Sequence, residues 1–290
     1  VDSNSSDRTG EIAERVLESS ELSNTIWKVM RVNFPGKNLA LNRTIEGLST
    51  DIIVISDADA NVSPGWLKIV RSRLSDEDIG VVSGIEVIGN FNGFSPYYRS
   101  KSNQLRIRES VIDSTPVLEG SILAWKTSAL GNFKLDERVN ADDAQIGFIS
   151  VRSGNRSIVD PRITFVDFES DERTIREMIR RSQGLSIALI SNFDLAFRSP
   201  RKGARRAIFN ALALYVLFPW SVLVFTINSI FAFSINPEIG TTWEFFSVFS
   251  IFLVLSTRSG RLLAIGSIIS NVAHIQAIIG KRYQNWDPVR

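Results

Sequence analysis

Short apolar runs separated by polar turns fill roughly the first two hundred residues, and long uncharged runs fill most of the remainder. In the first part, Asp51-Ile52-Ile53-Val54-Ile55-Ser56 carries four consecutive β-branched residues. Such a run predicts a strand buried on both faces, as in a parallel sheet. Upstream, Thr9 is placed to cap a helix whose apolar face is Ile12, Val16 and Leu17. Thr25–Val32 reads as a strand and Pro35-Gly36 as a turn. Lys37–Gly47 reads as a helix with Leu39, Ala40 and Ile45 inward and Gly47 as its C-cap. Downstream, Pro64 opens a helix bearing Trp66, Ile69 and Val70, and Ile79–Ile88 is a strand. This alternation predicts an α/β layer with a doubly wound, mostly parallel sheet. Pro96–Ser114 is a basic, polar helix expected to flank the core.

Beyond residue 172 the period changes. Residues 173–197 set Ile175, Ile179, Leu185, Ile187, Leu189 and Ile190 against Arg173, Arg176, Arg180 and Arg181. That pattern suits an amphipathic helix on a membrane surface, and equally a surface helix of the globular part. Residues 207–237 contain no charged side chain. A helix through the stretch 207–233 reaches about 40 Å, enough to cross a bilayer with tilt, and Pro219 should kink it. A second segment, 240–257, is apolar apart from Glu244 and carries Trp243 at one end. A third, 262–280, is interrupted by Asn271, His274 and Gln276. Arg198, Arg201, Lys202, Arg205 and Arg206 precede the first segment, and the loop after it has no Lys or Arg. The positive-inside rule then predicts a multi-pass membrane protein with residues 1–206 in the cytoplasm. Two spans plus a re-entrant or interfacial third helix fit that rule better than three spans, and three remain open. The expected division is a catalytic domain over 1–172, an interfacial helix and basic linker over 173–206, and a membrane domain over 207–290.

Composition narrows the chemistry. The 290 residues are 44% hydrophobic with a formal net charge of +2, so no overall field for a polyanion is implied. The basic run at 198–206 lacks interleaved aromatics and reads as a lipid-headgroup anchor, with no nucleic-acid partner expected. Cysteine is absent and His274 is the single histidine. Disulfides, thiolate metal sites, Ser-His-Asp hydrolysis and multi-histidine metal sites are therefore excluded.

What remains is acidic. Asp57-Ala58-Asp59 follows the apolar run, at the carboxyl edge where open α/β sheets bind ligands. In extended chain two such carboxylates lie about 6–7 Å apart on one side. They make a hard oxygen site suited to Mg²⁺ or Mn²⁺ carrying a diphosphate, although an isolated Asp-x-Asp is more often a solvated turn. Lys37 opens a predicted helix, where backbone N–H groups favour an anion. Asp142 and Asp143 stand together and would raise one another's pKa, or serve simply as an N-terminal helix cap.

Four pieces occur in one order: the polar opening Val1-Asp2-Ser3-Asn4-Ser5-Ser6-Asp7-Arg8-Thr9, Gly36-Lys37-Asn38-Leu39-Ala40-Leu41-Asn42, Asp57-Ala58-Asp59 and Ala141-Asp142-Asp143. In these the chain resembles the membrane-anchored family-2 glycosyltransferases of the GT-A fold, which include cellulose- and hyaluronan-synthase-like proteins. The resemblance spans residues 1 to about 206, with a similar membrane tail after it. It implies an inverting transferase with a nucleotide-sugar donor. Asp2 would lie near the nucleotide base, and Lys37 near the base or diphosphate. Asp57 and Asp59 would hold donor and metal, and Asp143 would be the base. Glu119-Gly120-Ser121 matches the family's acceptor loop, so Gly120 and Ser121 are expected beside the acceptor. Asn42 is expected to brace its loop.

Two departures shape the expectation. Where processive synthases carry Gln-x-x-Arg-Trp, this chain has Glu177-Met178-Ile179-Arg180-Arg181. Arg180 is retained and would pair with the departing diphosphate, but the stacking Trp is gone. A lipid-linked or membrane-proximal acceptor is then favoured over polymer synthesis. The family's first strand, with its Pro-x-Tyr-Asn-Glu-like turn, has no counterpart here, so the chain reads as N-terminally truncated. A catalytically silent, membrane-anchored nucleotide-sugar-binding or scaffolding relative stays open as the alternative, as does a processive polysaccharide synthase.

Overall fold

The computed structural model describes all residues except 4, 6, 21–24, 35, 89–93, 168–174, 236–254 and 282–290. The chain begins β1 (Asp2–Ser3), α1 (Thr9–Ser19), β2 (Arg31–Val32), α2 (Lys37–Ile45), β3 (Ile52–Ser56) and β4 (Ala60–Val62). It continues α3 (Trp66–Leu74), β5 (Ile79–Glu86), α4 (Phe94–Ile112), β6 (Ile122–Lys126), α5 (Thr127–Leu130), α6 (Asp142–Arg152) and β7 (Arg156–Asp167). The helical end comprises α7 (Ile175–Ser191), α8 (Leu195–Arg198), α9 (Lys202–Leu212), a π turn (Ala213–Leu217), α10 (Phe218–Ile235) and α11 (Arg258–Ile278).

Five strands form one sheet in the order β3-β6-β5-β7-β4, and β1 and β2 form a short parallel ladder of their own. Within the larger sheet, as described, β5 and β7 are the one parallel pair of neighbours, and the other pairings are antiparallel. The expectation of a mostly parallel sheet is thus corrected to a mixed one. The cause is the path of residues 115–121. Thr115 N–H donates to Ser157 O (2.8 Å) at the start of β7, and Ser83 Oγ donates to Glu119 O (2.9 Å). Asp57 N–H then donates to Ser121 O (3.0 Å) at the end of β3. The chain therefore reaches the carboxyl edge before β6 begins, and β6 runs back against both neighbours.

The strand buried on both faces is β5, where Ile79, Val81 and Val82 are at most 1% exposed. Its alternating side chains feed two apolar layers. Val81 joins Ile53, Leu123, Trp125 and Ile146 on one face, and Val82 joins Val70, Ile122, Ile158 and Phe165 on the other. The run 51–56, predicted to be buried on both faces, pairs only with β6 among the described strands. Ile53 is buried and Val54 is 36% exposed, the half-buried pattern of an edge. Strand pairing at 25–32 is likewise confined to Arg31–Val32.

Helices depart from their predicted faces for identifiable reasons. Ile12 and Val16 of α1 are exposed; α1 meets the small β1–β2 ladder through Gly10, beside Asp2 and Arg31, and through the Glu14–Arg31 ion pair. The α2 helix closes without a left-handed Gly47; Gly47 N–H instead donates to Thr44 O (3.2 Å). The polar α4 is no loose flank. It buries Ser102, Asn103 and Ser110; Asn103 Nδ2 donates to Glu86 O (3.1 Å) and Ser110 Oγ accepts from Val159 N (2.8 Å).

The segment expected to lie on a membrane surface or on the globular part holds α7, which buries Gln183, Gly184, Ser186, Ala188 and Leu189, while Ile175 and Ile190 are exposed. Its contact face therefore joins polar and small residues to Leu189, which is in the core. Two of the basic residues after it are tied inside the protein. Arg201 Nε donates to Gly154 O (2.7 Å) and pairs with Asp78 and Asp113, and Arg205 Nε donates to Ser199 O (2.5 Å). Arg198, Lys202 and Arg206 remain exposed.

Pro219 was expected to kink the first apolar segment. The helix accommodates it through the π turn at 213–217, which widens the backbone just before the ring that lacks an N–H donor. Two stretches, Lys202–Ser229 and Arg258–Ile278, are helices long and apolar enough to cross a membrane. The second of these is the segment whose polar interruptions made it the weaker candidate; there Asn271 Nδ2 donates to Pro219 O (3.0 Å) and His274 stacks on Trp220. Residues 240–254 of the other predicted span lie outside the described residues.

Candidate functional site

The carboxyl edge of β3 ends at Asp57, whose N–H is held by Ser121 O; Ala60 N–H returns to Asp57 O (3.2 Å). That turn presents Asp59 two residues on, and both carboxylates are half-buried. Across from them α2 starts at Lys37, after Gly36 at φ 132°, a backbone conformation that favours glycine. Two buried asparagines fix the helix against the segment leading to α6. Asn38 Nδ2 donates to Asp136 O (3.0 Å) and Val139 O (2.7 Å). Asn42 Nδ2 donates to Leu135 O (3.0 Å) and its Oδ1 accepts from Leu135 N (2.9 Å), a brace in the literal sense.

With α2 so held, Lys37 Nζ lies 2.9 Å from Asp57 Oδ1 and 3.1 Å from Asp142 Oδ2. Burial lowers the lysine's proton affinity, but the carboxylates of Asp142 and Asp57 outweigh it and hold the ammonium above its ordinary range. Asp142 and Asp143 open α6. Asp143 Oδ1 accepts from Ala144 N (2.7 Å). Burial first, and then the neighbouring charge of Asp142, push the Asp143 carboxyl up to about 6, against the pull of the Ala144 N–H, Lys37 and Arg106. A Cβ added at Gly120 would sit 3.5 Å from Asp143 Oδ2, so the 119–121 turn passes in contact with that carboxyl.

The structure thus gathers Asp57, Lys37, Gly120, Ser121 and Asp143 at one rim, with Asp59 in the adjoining turn. Asp2 sits apart, in the β1–β2 ladder, where its Oδ1 accepts from Ser5 N (3.1 Å). Arg180 lies on α7, one turn before Gly184. Two participants were not singled out by sequence reasoning: Asp142 as the second counter-ion of Lys37, and Arg106, which pairs with Glu119 of the 119–121 turn. A signal for Arg106 existed. Ser102, Arg106 and Ser110 recur every four residues and form a polar stripe on α4, the mark of a helix that packs through hydrogen bonds.

No group of three or more His, Cys, Asp or Glu side chains forms a metal cage among the described residues. A small hard cation carried on phosphate oxygens needs only one or two carboxylates, its remaining ligands being phosphate and water. Asp57 and Asp59 fit that donor set, with Lys37 as a neighbour that the cation must share Asp57 with.

A mixed α/β sheet with this acidic rim defines a GT-A-like architecture, and comparison with solved structures agrees. The mannosyltransferase PcManGT from Pyrobaculum calidifontis, in complex with GDP-Man and Mn²⁺, aligns with a TM-score of 0.76 at 23% identity, covering 97% of this chain and 77% of that one. The likeness is one of fold. S. aureus TarS 1-349 in complex with UDP-GlcNAc aligns at a TM-score of 0.48 and 13% identity, covering 98% and 83%, too distant to carry an argument. No curated protein matches the chain. Residues 1–138 match the model of glycosyl transferase family 2.

Proposed function

We propose that the chain is a metal-dependent inverting glycosyltransferase that moves a sugar from a nucleoside-diphosphate sugar to a lipid-linked or membrane-proximal acceptor. One observation carries this reading: Lys37 joins Asp57 to the acidic pair at 2.9 and 3.1 Å while Asp143 lies against Gly120. Donor-side and acceptor-side chemistry then share one rim. Asp57 and Asp59 would hold Mg²⁺ or Mn²⁺, which when bound neutralises the departing diphosphate. Lys37 adds a fixed positive charge beside it, and Arg180 a second one from α7. Asp2 lies towards the nucleotide base.

Asp143 takes the proton of the acceptor hydroxyl as the new bond forms. A carboxyl near 6 suits that role, being ionised at neutral pH and still basic enough to accept a proton. Gly120 and Ser121 line the acceptor side, with no Cβ at 120 to keep the acceptor from the backbone. The two long apolar helices support a multi-pass membrane protein built as 1–172, 173–206 and 207–290. Exposed Arg198, Lys202 and Arg206 support a cytoplasmic catalytic part.

The test is release of nucleoside diphosphate from GDP-mannose and a panel of other GDP- and UDP-sugars, with and without Mn²⁺. Asp59→Ala should weaken Mn²⁺-dependent donor binding by roughly 100-fold with the fold intact by circular dichroism. Donor binding without release from any sugar nucleotide would favour the silent, scaffolding alternative. Unchanged donor affinity in Asp59→Ala would refute the metal assignment.

A further inference from the structure

One close contact near the rim comes from outside it. A Cβ added at Gly184 of α7 would fall 2.8 Å from the carbonyl carbon of Asn140 and 3.4 Å from Ala141 Cβ. The α7 backbone therefore rests directly on the two residues that precede Asp142 and Asp143. The same turn of α7 is clasped from another side by α11. Ser186 Oγ and His274 Nε2 are 2.8 Å apart and buried, and Ser182 Oγ and Ser270 Oγ are 3.2 Å apart. Gln183 Nε2 donates to Ala273 O (3.3 Å) and Lys281 O (3.0 Å). The apolar contacts are continuous with this: Ala141 and Ala144 of the α6 entry share a buried cluster with Ala188 and Leu189 of α7.

We propose that the turn Ser182–Ser186 is a positioning element for Asp143, with Gly184 seating α7 on Asn140 and Ala141 and the Ser186–His274 bond holding that seat from α11. The inference rests on the reading of Asp143 as the base. It makes the placement of a carboxylate at the sheet rim depend on a helix apolar enough to sit in a bilayer. The interface has no slack, because a single methyl at 184 collides with backbone and not with a movable side chain. Either α7 lifts or the 140–143 turn shifts. A misplacement of about 1 Å at a reacting group costs on the order of 100-fold in rate.

The experiment uses the full chain in detergent, with nucleoside diphosphate release from its best sugar nucleotide as the assay. Gly184→Ala should lower kcat by roughly 30- to 100-fold and leave the donor KM within about twofold. The pH midpoint of kcat should also fall below that of the unsubstituted chain, since a displaced Asp143 is better hydrated and burial is the main cause of its raised value. The charged groups facing it, Asp142 beside it, Lys37 from α2 and Arg106 from α4, are untouched by the substitution. Ser186→Ala should move both quantities the same way by a smaller amount, about 3- to 10-fold in kcat. A drop in kcat with the midpoint in place is loss of active protein and overturns the proposal. If Gly184→Ala does not fold, Ser186→Ala decides alone, and an unchanged kcat and midpoint there overturn it. Asp143→Asn separates the two readings. Inactivity there with normal Gly184→Ala and Ser186→Ala removes the positioning role alone, and full activity there removes the base assignment and this inference together.

Discussion

Asp143 and Asp160 are both drawn out of water by the same domain, and they end at opposite extremes. Asp160, on β7, has a side chain with no exposed surface. Burial pushes its carboxyl up. Hydrogen bonds from Arg162 (N 2.9 Å, Nε 3.0 Å, Nη2 2.7 Å) and from Arg73 Nε (2.6 Å) outweigh that and hold it below the usual carboxylate range. Asp143 is half-buried and receives one backbone N–H, while its nearest charged neighbour is another carboxylate. Burial therefore acts in the same direction on both, and the partners decide the outcome. A carboxylate wrapped by arginines is a structural charge; one set beside a second acid is poised to move a proton.

The comparison breaks most directly at Asp143. Asp143→Asn should reduce transfer by roughly 1,000-fold with donor affinity within about twofold, as loss of a general base does. Asp160→Asn should leave kcat within about twofold. Equal losses in the two variants would mean that neither carboxylate is special to the chemistry. The same contrast predicts a pH profile. Asp143 must be ionised to accept a proton, so kcat should rise through a midpoint of about 6 and gain roughly tenfold between pH 5 and 7.

Lys37 sharpens the contrast at the next level. It is the cation nearest the acidic pair, but it sits on Asp57 and Asp142 and lowers Asp143 only from a distance. Lys37→Met should cut kcat/KM by roughly 10- to 100-fold, the cost of a charge-assisted contact to the donor phosphates. It should also move the midpoint of the profile upward, because removing a cation favours the protonated acid. A downward movement would mean that Lys37 does not face the pair in solution.

The two carboxylates were not equally legible in the sequence. Asp143 was visible through order: an Asp-x-Asp after an apolar run, a Gly-Lys before it and an acidic pair after it. Asp160-Pro161-Arg162 offered no such context, because its second partner, Arg73, is 87 residues away and meets it only through the packing of α3 on β7. The same division runs through the fold. Apolar periodicity found β5, α3 and the helical tail, since burial against a sheet selects apolar side chains at fixed spacing. It misassigned the run 51–56, since β-branched content reports strand and not whether a neighbour covers each face. It found Leu189 of α7, which is in the core, but missed the polar contacts of α4 and α7, made by Ser102, Asn103 and Ser110 in one and Gln183 and Ser186 in the other. Hydrogen-bonded helix faces look like solvated ones until their partners are known.

Stability gives the smaller effects. Asp160→Asn keeps the shape but loses the charge that both arginines answer. Arg73 and Arg162 are 43% and 58% exposed, so water takes over part of their solvation, and the loss should be about 2 kcal/mol in urea unfolding at pH 7. The sign with pH follows from the depressed carboxyl. Its stabilisation is present above the unfolded-state value near 4 and is lost as pH falls through the lower native one. The difference between the unsubstituted chain and Asp160→Asn should therefore begin to shrink below about pH 4 and close only as pH falls through the lower native value.

Arg162→Met is the finest test, because it removes one of the two arginines and leaves the other. Arg162 is the more exposed of the pair and lies two residues from Asp160, so in the unfolded chain it is already near its partner. Its backbone N–H to Oδ1 survives the substitution, and Arg73 keeps its 2.6 Å contact to Oδ2. Both facts make the net contribution of the side chain small, as for exposed ion pairs in general. Arg73→Met, which removes the contact that only folding creates, should cost more than Arg162→Met. The reverse order in matched urea titrations would show that Asp160 is held by its local loop and not by the packing of α3 against β7.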